Sequence, residues 1–252
     1  MMKSSNILHS LTLIFIGVLA YIFADIVHEA IGHGLTSLIL GNRITLLSSV
    51  YFRSQPHSFI TDAFGPLLNL FVGILLLIVL KKISFSEFYV KPLFIIAYLF
   101  QMFWFSWMCI YAAVTDSGDL AFYFPQEKSA YVWRAVLVLI GFSAYWFSFQ
   151  STSKIIQSSA KLKNRTFYII PYWSAGVAAL FAVSFYRPFS VENLYEALVF
   201  PVFSPMLFLG RKSELADWKR KEELYIGNIT IIISGVVIFT VFCLTMGVGL
   251  KL

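Results

Sequence analysis

The sequence has little of what a soluble enzyme or a secreted domain is built from. Of 252 residues only two are cysteines, Cys109 and Cys243. Both lie inside apolar runs without paired spacing, so neither a disulfide framework nor a thiolate metal site is indicated. Charged residues make up 13% of the chain and there are four histidines, too few for the clustered boxes of a histidine-rich di-iron oxygenase. The longest polar stretches, residues 41–56, 81–91, 116–129, 152–165 and 211–223, read as loops, and none can hold a core of its own. There is no low-complexity tract and no convincing internal repeat.

What remains is apolar. Hydrophobic residues form 59% of the chain and the mean hydropathy is +0.78, which fits a polytopic membrane protein. Runs near the ~20 residues needed to cross hydrocarbon as a helix fall at about 7–27 with a possible continuation to 40, and at 57–80, 92–115, 130–151, 166–186 and 224–250. A shorter run at 194–210 contains Pro201 and Pro205, as a kinked or re-entrant segment would. The expected fold is an all-α transmembrane helical bundle of six or seven spans. Residues 1–125 would form a core carrying the motifs, and residues 126–252 would add further spans. The first run follows Lys3 but has no small-x-small cleavage site, so it reads as a retained anchor.

The net charge of +6 marks topology rather than a nucleic-acid surface. Most basic residues fall at alternate span ends: Lys3; Lys81, Lys82 and Lys91; Lys154, Lys161, Lys163 and Arg165; and Arg211, Lys212, Lys219, Arg220 and Lys221. By the positive-inside rule these ends are cytoplasmic, as is the N-terminus. "RKSELADWKRKEE" reads as a solvated loop, and membrane lipid is an expected partner.

Against this background "FADIVHEAIGHGLTSLILG" stands out, because ionisable groups at membrane depth are costly and usually functional. In the zinc-protease pattern HExxH, two histidines at i and i+4 face one ion and the glutamate activates water. Here His28 and His33 are five apart, with Glu29 after the first. In a regular α-helix i+5 is turned by about 140° from i, so both imidazoles would not easily reach one ion. A π-bulge would absorb the extra residue, and Gly32 would ease it. The same HExxGH spacing occurs as a zinc site in the dipeptidyl peptidase III family.

A catalytic zinc needs a third protein ligand. His9 is about five turns away on the same helix, and His57 falls in a loop. "AAVTDSGDLAF" ends the third span with Asp116 and Asp119 around a Ser-Gly. Parity puts the end of the first span, the start of the second ("TDAFGPLLN", with Asp62) and the end of the third on one side of the membrane. The unusual polar residues therefore converge on one pole. Asp25, three residues before His28, is placed either to orient a ligand imidazole through its second nitrogen or to contact a neighbouring span. Gly65 and Pro66 are expected to break the second span and open a wet route to the site.

Three motifs together, "HEAIGH", "FGPLLN" (Gly65, Pro66, Asn69) and "DSGD", resemble those of the site-2 protease family of intramembrane zinc metalloproteases, over roughly residues 20–125. HEAIGH is one residue longer than the family's HExxH, and DSGD stands where an LDG-type motif is usual. The resemblance implies proteolysis of membrane-anchored substrates, with zinc on His28, His33 and one of Asp116 and Asp119. It makes Glu29 the general base and gives Asn69 the task of holding the substrate or polarising its carbonyl. Two other functions suit the same residues: a zinc-dependent lipid amide hydrolase, and a transporter or assembly factor using the polar cluster as a proton or ion path.

Overall fold

The computed structural model describes residues 2–85, 87–121, 129–157, 166–203 and 227–251. Two of the four basic groups, around Lys161–Arg165 and Arg211–Lys221, lie mostly or wholly outside them, as does Pro205. The chain runs α1 (Met2–Asp25), a π-helix π1 (Ile26–Leu35), α2 (Thr36–Ile39), β1 (Arg43–Leu47), β2 (Phe52–Gln55), α3 (Phe59–Lys82), α4 (Val90–Thr115), α5 (Ser129–Gln157), α6 (Thr166–Val183), α7 (Val191–Phe203), α8 (Ile229–Phe242) and a second π-helix, π2 (Cys243–Gly247).

Six of the described helical stretches are long and apolar enough to cross a bilayer: Ile7–Ile39, Phe59–Lys82, Val90–Thr115, Ala130–Gln157, Thr166–Val183 and Ile229–Gly247. The protein is a helical, multi-pass membrane protein. Of the seventh apolar run, the part up to Phe203 is helical in α7 (Val191–Phe203), and the remainder lies outside the described residues.

Helix α4 is the centre of the bundle. Tyr98, Gln101, Phe103 and Ser106 on it are fully buried, and it packs against α1, α3 and α5. Phe103 stacks on Tyr145 of α5 with ring centroids 4.4 Å apart. On its far side α5 leaves Trp133, Leu139, Phe142 and Trp146 exposed, the apolar face that hydrocarbon covers. Between α1 and α6 the contact is made by small residues. Ala175, Ala178, Ala179 and Ala182 are buried, and Ser174 Oγ donates to the Ile14 carbonyl at 2.9 Å. Helices in lipid associate through such close approach rather than through hydrophobic expulsion of water.

Two expectations are corrected here. The stretch 41–56 is a β-hairpin rather than a plain loop. β1 and β2 pair antiparallel from Arg43 opposite Gln55 to Leu47 opposite Phe52, with an irregularity between Ile44 and Leu46. Leu47 and Leu250 exchange backbone hydrogen bonds of 2.9 and 2.8 Å, so the C-terminal end of the last span straps the hairpin down. Second, Gly65 and Pro66 do not break the second span. α3 continues through Pro66, with the proline sparing only the intrahelical donor to the Asp62 carbonyl.

Asn228 ties the last span to the first. Its side chain caps α8 by accepting from Ile231 N–H at 3.1 Å, and its own N–H donates to Thr12 Oγ1 at 2.9 Å. Asn228→Ala is expected to lower unfolding stability in detergent by about 1 kcal/mol, with Asn228→Ser keeping most of it. Equal melting of the alanine variant and wild type would contradict the capping role.

Candidate metal centre

His28 and His33 come from π1, where the helix is widened over ten residues rather than at one bulge. Bonding from i to i+5 stacks His33 over His28, and the two rings meet edge-on with centroids 4.8 Å apart. The widened turn lies against the start of α3 at a pair of glycines. A Cβ on Gly32 would come within 2.6 Å of the Gly65 Cα, and a Cβ on Gly65 would run into the His33 ring. The third member arrives from the end of α4. Asp116 caps that helix in the left-handed region (φ 57°) and Gly118 follows with φ 87°, a turn that delivers Asp119 to the histidines.

His28 Nε2 lies 2.9 Å from Asp119 Oδ2 and 3.2 Å from His33 Nε2, and His33 Nε2 lies 3.4 Å from the same Oδ2. The other ring nitrogens fix what these atoms are. His28 Nδ1 is 2.6 Å from Asn69 Oδ1, and His33 Nδ1 is 2.8 Å from the Thr61 carbonyl. Both partners only accept, so each Nδ1 carries a proton, and in the neutral imidazole each Nε2 presents a lone pair. Two imidazole Nε2 atoms and a carboxylate oxygen thus face one another, and a metal ion among them, or a proton held between a histidine and Asp119, makes the contact attractive. The sides of the triangle suit zinc: a tetrahedron with ligand bonds of about 2.0–2.1 Å has edges of about 3.3 Å. These three residues, two of them buried, are a group that can hold a metal ion. Without a metal, burial pushes the Asp119 carboxyl up, and positive charge on protonated facing imidazoles, His33 first, more than reverses this and keeps it ionised. A divalent ion acts in the same direction.

Behind the ligands, Asn69 Nδ2 donates to Gln101 Oε1 at 2.5 Å and lies 3.4 Å from the Ala24 carbonyl. Asn69 is fully buried with its amide committed to His28 and α4. Its side-chain oxygen holds the His28 ring; the sequence resemblance gave it the task of holding substrate or polarising its carbonyl. Trp104 stacks on His28 at 5.5 Å and Phe52 on His33 at 5.4 Å, closing the rings in from α4 and the hairpin.

Glu29 is 8% exposed, and its Oε2 has no hydrogen-bond partner. It lines, with all three triad residues, a cavity of about 300 Å³. Asp62 and Glu196 also line this cavity, and no lysine or arginine does among the described residues. Burial first, then the Asp119 and Glu192 carboxylates, push the Glu196 carboxyl upward.

The remaining candidates separate. Asp116 turns away and pairs with Arg134 at 2.5 Å, so Asp119 alone of the two joins the histidines. Asp25 reaches neither ligand imidazole, since both second nitrogens are taken, and its two oxygens are buried without partners. His9 bonds Tyr89 at 2.7 Å, and His57 pairs with Asp62 at 2.7 Å. Gln101 escaped the sequence argument although an amide in the middle of an apolar run is itself a signal. Phe52 and the Thr61 carbonyl gave none.

Comparison with protein-family models, with curated proteins and with solved structures finds no match. The assignment of this centre therefore rests on its geometry.

Asn69→Ala is expected to weaken metal affinity about 10- to 100-fold by freeing the His28 ring, measured by competition with a chromogenic chelator. Gly65→Ala, which displaces the His33 ring directly, should weaken it further. Affinities unchanged in both variants would contradict the described support of the ligands.

Proposed function

We propose that the protein is an intramembrane zinc metallopeptidase that hydrolyses peptide bonds of membrane-anchored substrates. The observation that carries this reading is the cluster of three mutually facing acceptors with a buried, unpartnered glutamate oxygen beside it in one cavity. It agrees with the resemblance of HEAIGH, FGPLLN and DSGD to the site-2 protease family. His28, His33 and Asp119 hold the ion. Zinc bound there supplies a Lewis acid that polarises a carbonyl and acidifies water to a pKa of about 7.

The chain's own groups supply the rest. Glu29 accepts the proton of the attacking water at Oε2 and returns it to the leaving amine nitrogen. Its low exposure keeps that carboxylate out of bulk water, where its basicity would be diluted by solvation. Asn69 and the Thr61 carbonyl hold the two imidazoles in the tautomer that leaves Nε2 free. Phe52 and Trp104 fill the space around the rings and limit water at the ligands. The cavity reaches the hairpin residues Ser49, Val50, Tyr51 and Phe52, so a substrate segment would enter between the hairpin and α7.

Glu29→Gln should keep stoichiometric zinc and lower cleavage of a membrane-anchored reporter about 10²- to 10⁴-fold. Loss of zinc in this variant, or cleavage that persists, would contradict the role of Glu29.

A proton or ion path is the second reading, favoured by Asp25, whose carboxyl is fully buried with neither oxygen partnered. It requires transport by the metal-free protein reconstituted in vesicles, and Asp25→Asn would abolish it. The peptidase reading requires that removing the metal abolish activity.

A further inference from the structure

We infer that the pole of the bundle opposite the triad carries a binding site for the phosphate-bearing headgroup of an anionic phospholipid. The triad sits at the start of α3, near Thr61 and Asn69. Thirteen residues further on, about 20 Å along the helix axis, α3 ends beside a cavity of about 670 Å³. That volume is within the range of small-molecule sites.

Four lysines line this cavity and come from three helices: Lys81 and Lys82 end α3, Lys91 opens α4, and Lys154 lies in the last turn of α5. Among the described residues no carboxylate lines it, and none of the four lysines has an ion pair. Glu87, in the connection between α3 and α4, is not part of the lining. Four like charges around one concave space repel one another, and an anion within it reverses the sign of the interaction.

Helix ends account for only some of these charges. Lysines at the C-terminal ends of α3 and α5 complement the helix dipoles. Lys91 does the opposite: it places a cation in the first turn of α4, where the dipole is unfavourable to it and favourable to an anion. A negative group in the cavity is thus attracted by the lysines and by the α4 terminus together.

The rest of the lining fits a lipid better than a free ion. Gln150 and Ser151 offer donors to phosphodiester or glycerol oxygens, and Phe147 and Ile155 give an apolar wall. The site also lies at the end of membrane-spanning helices, where acyl chains run alongside α3 and α5. Lysine stems can lie along the apolar surface while their ammonium groups gather at headgroup depth. Basic pockets between transmembrane helices are used in this way.

The test is lipid retention by the full-length protein, measured by native mass spectrometry from detergent and by titration in nanodiscs. The probes are phosphatidylglycerol, phosphatidylcholine and inorganic phosphate. Phosphatidylglycerol is expected to bind at least about 10-fold more tightly than phosphatidylcholine. The double variant Lys82→Gln/Lys154→Gln should reduce that binding roughly 10- to 30-fold. Lys82→Arg/Lys154→Arg should retain it, and Lys251→Gln, outside the cavity, should have no effect. Equal retention of the two lipids, or equal losses in the cavity and Lys251 variants, would overturn the inference. Displacement of the lipid by millimolar phosphate would overturn the lipid assignment in favour of a free-anion site. None of these readouts depends on zinc or on cleavage.

Discussion

The arrangement around the triad depends on one electrostatic constraint. Two imidazoles that each commit Nδ1–H on the far side to Asn69 and Thr61 turn Nε2 toward each other and toward the Asp119 carboxylate. In a medium of low dielectric, such convergence is strongly unfavourable without a cation. The surrounding structure is what enforces it. The π-helix brings the fifth residue into register, paired glycines let the widened turn press on α3, and the left-handed end of α4 brings the carboxylate across.

The same constraint explains why so much of the bundle is devoted to holding side chains around the triad. Asn69 spends its carbonyl on His28 and its amide on Gln101, linking α3, α4 and the π-helix through one buried chain of hydrogen bonds. Within lipid there is no water to substitute for any missing member, so each link is costly to lose. The hairpin adds a wall on the His33 side and is itself pinned by the end of the last span through Leu250. Residues late in the chain thereby contribute to a site whose ligands all lie in its first half.

Much of this was legible in the sequence because membrane depth makes polar residues conspicuous. His28, Glu29, His33 and Asp119 stood out against apolar runs, and counting spans placed them at one pole. The five-residue spacing called for a widened helix, and the structure has one, though it extends over all of π1. Other features were hidden for identifiable reasons. Asp116 and Asp119 are equivalent by spacing alone, and only the left-handed turn and Arg134 separate them. Gly65-Pro66 looked like a helix break, yet a proline near a helix start removes just one hydrogen bond and α3 tolerates it. The hairpin is short, and the bridge that pins it comes from Leu250, some two hundred residues away, which no local pattern reveals.

The most direct test of the central claim is the metal content of protein purified without chelators, combined with X-ray absorption at the zinc edge. The account predicts close to one zinc per chain, bound by two imidazole nitrogens and at least one oxygen at about 2.0–2.2 Å, and lost in His28→Ala, His33→Ala and Asp119→Ala but retained in Asp116→Ala. A wild-type protein that carries no metal and takes up none when zinc is supplied, or one whose zinc survives loss of either histidine, would contradict it.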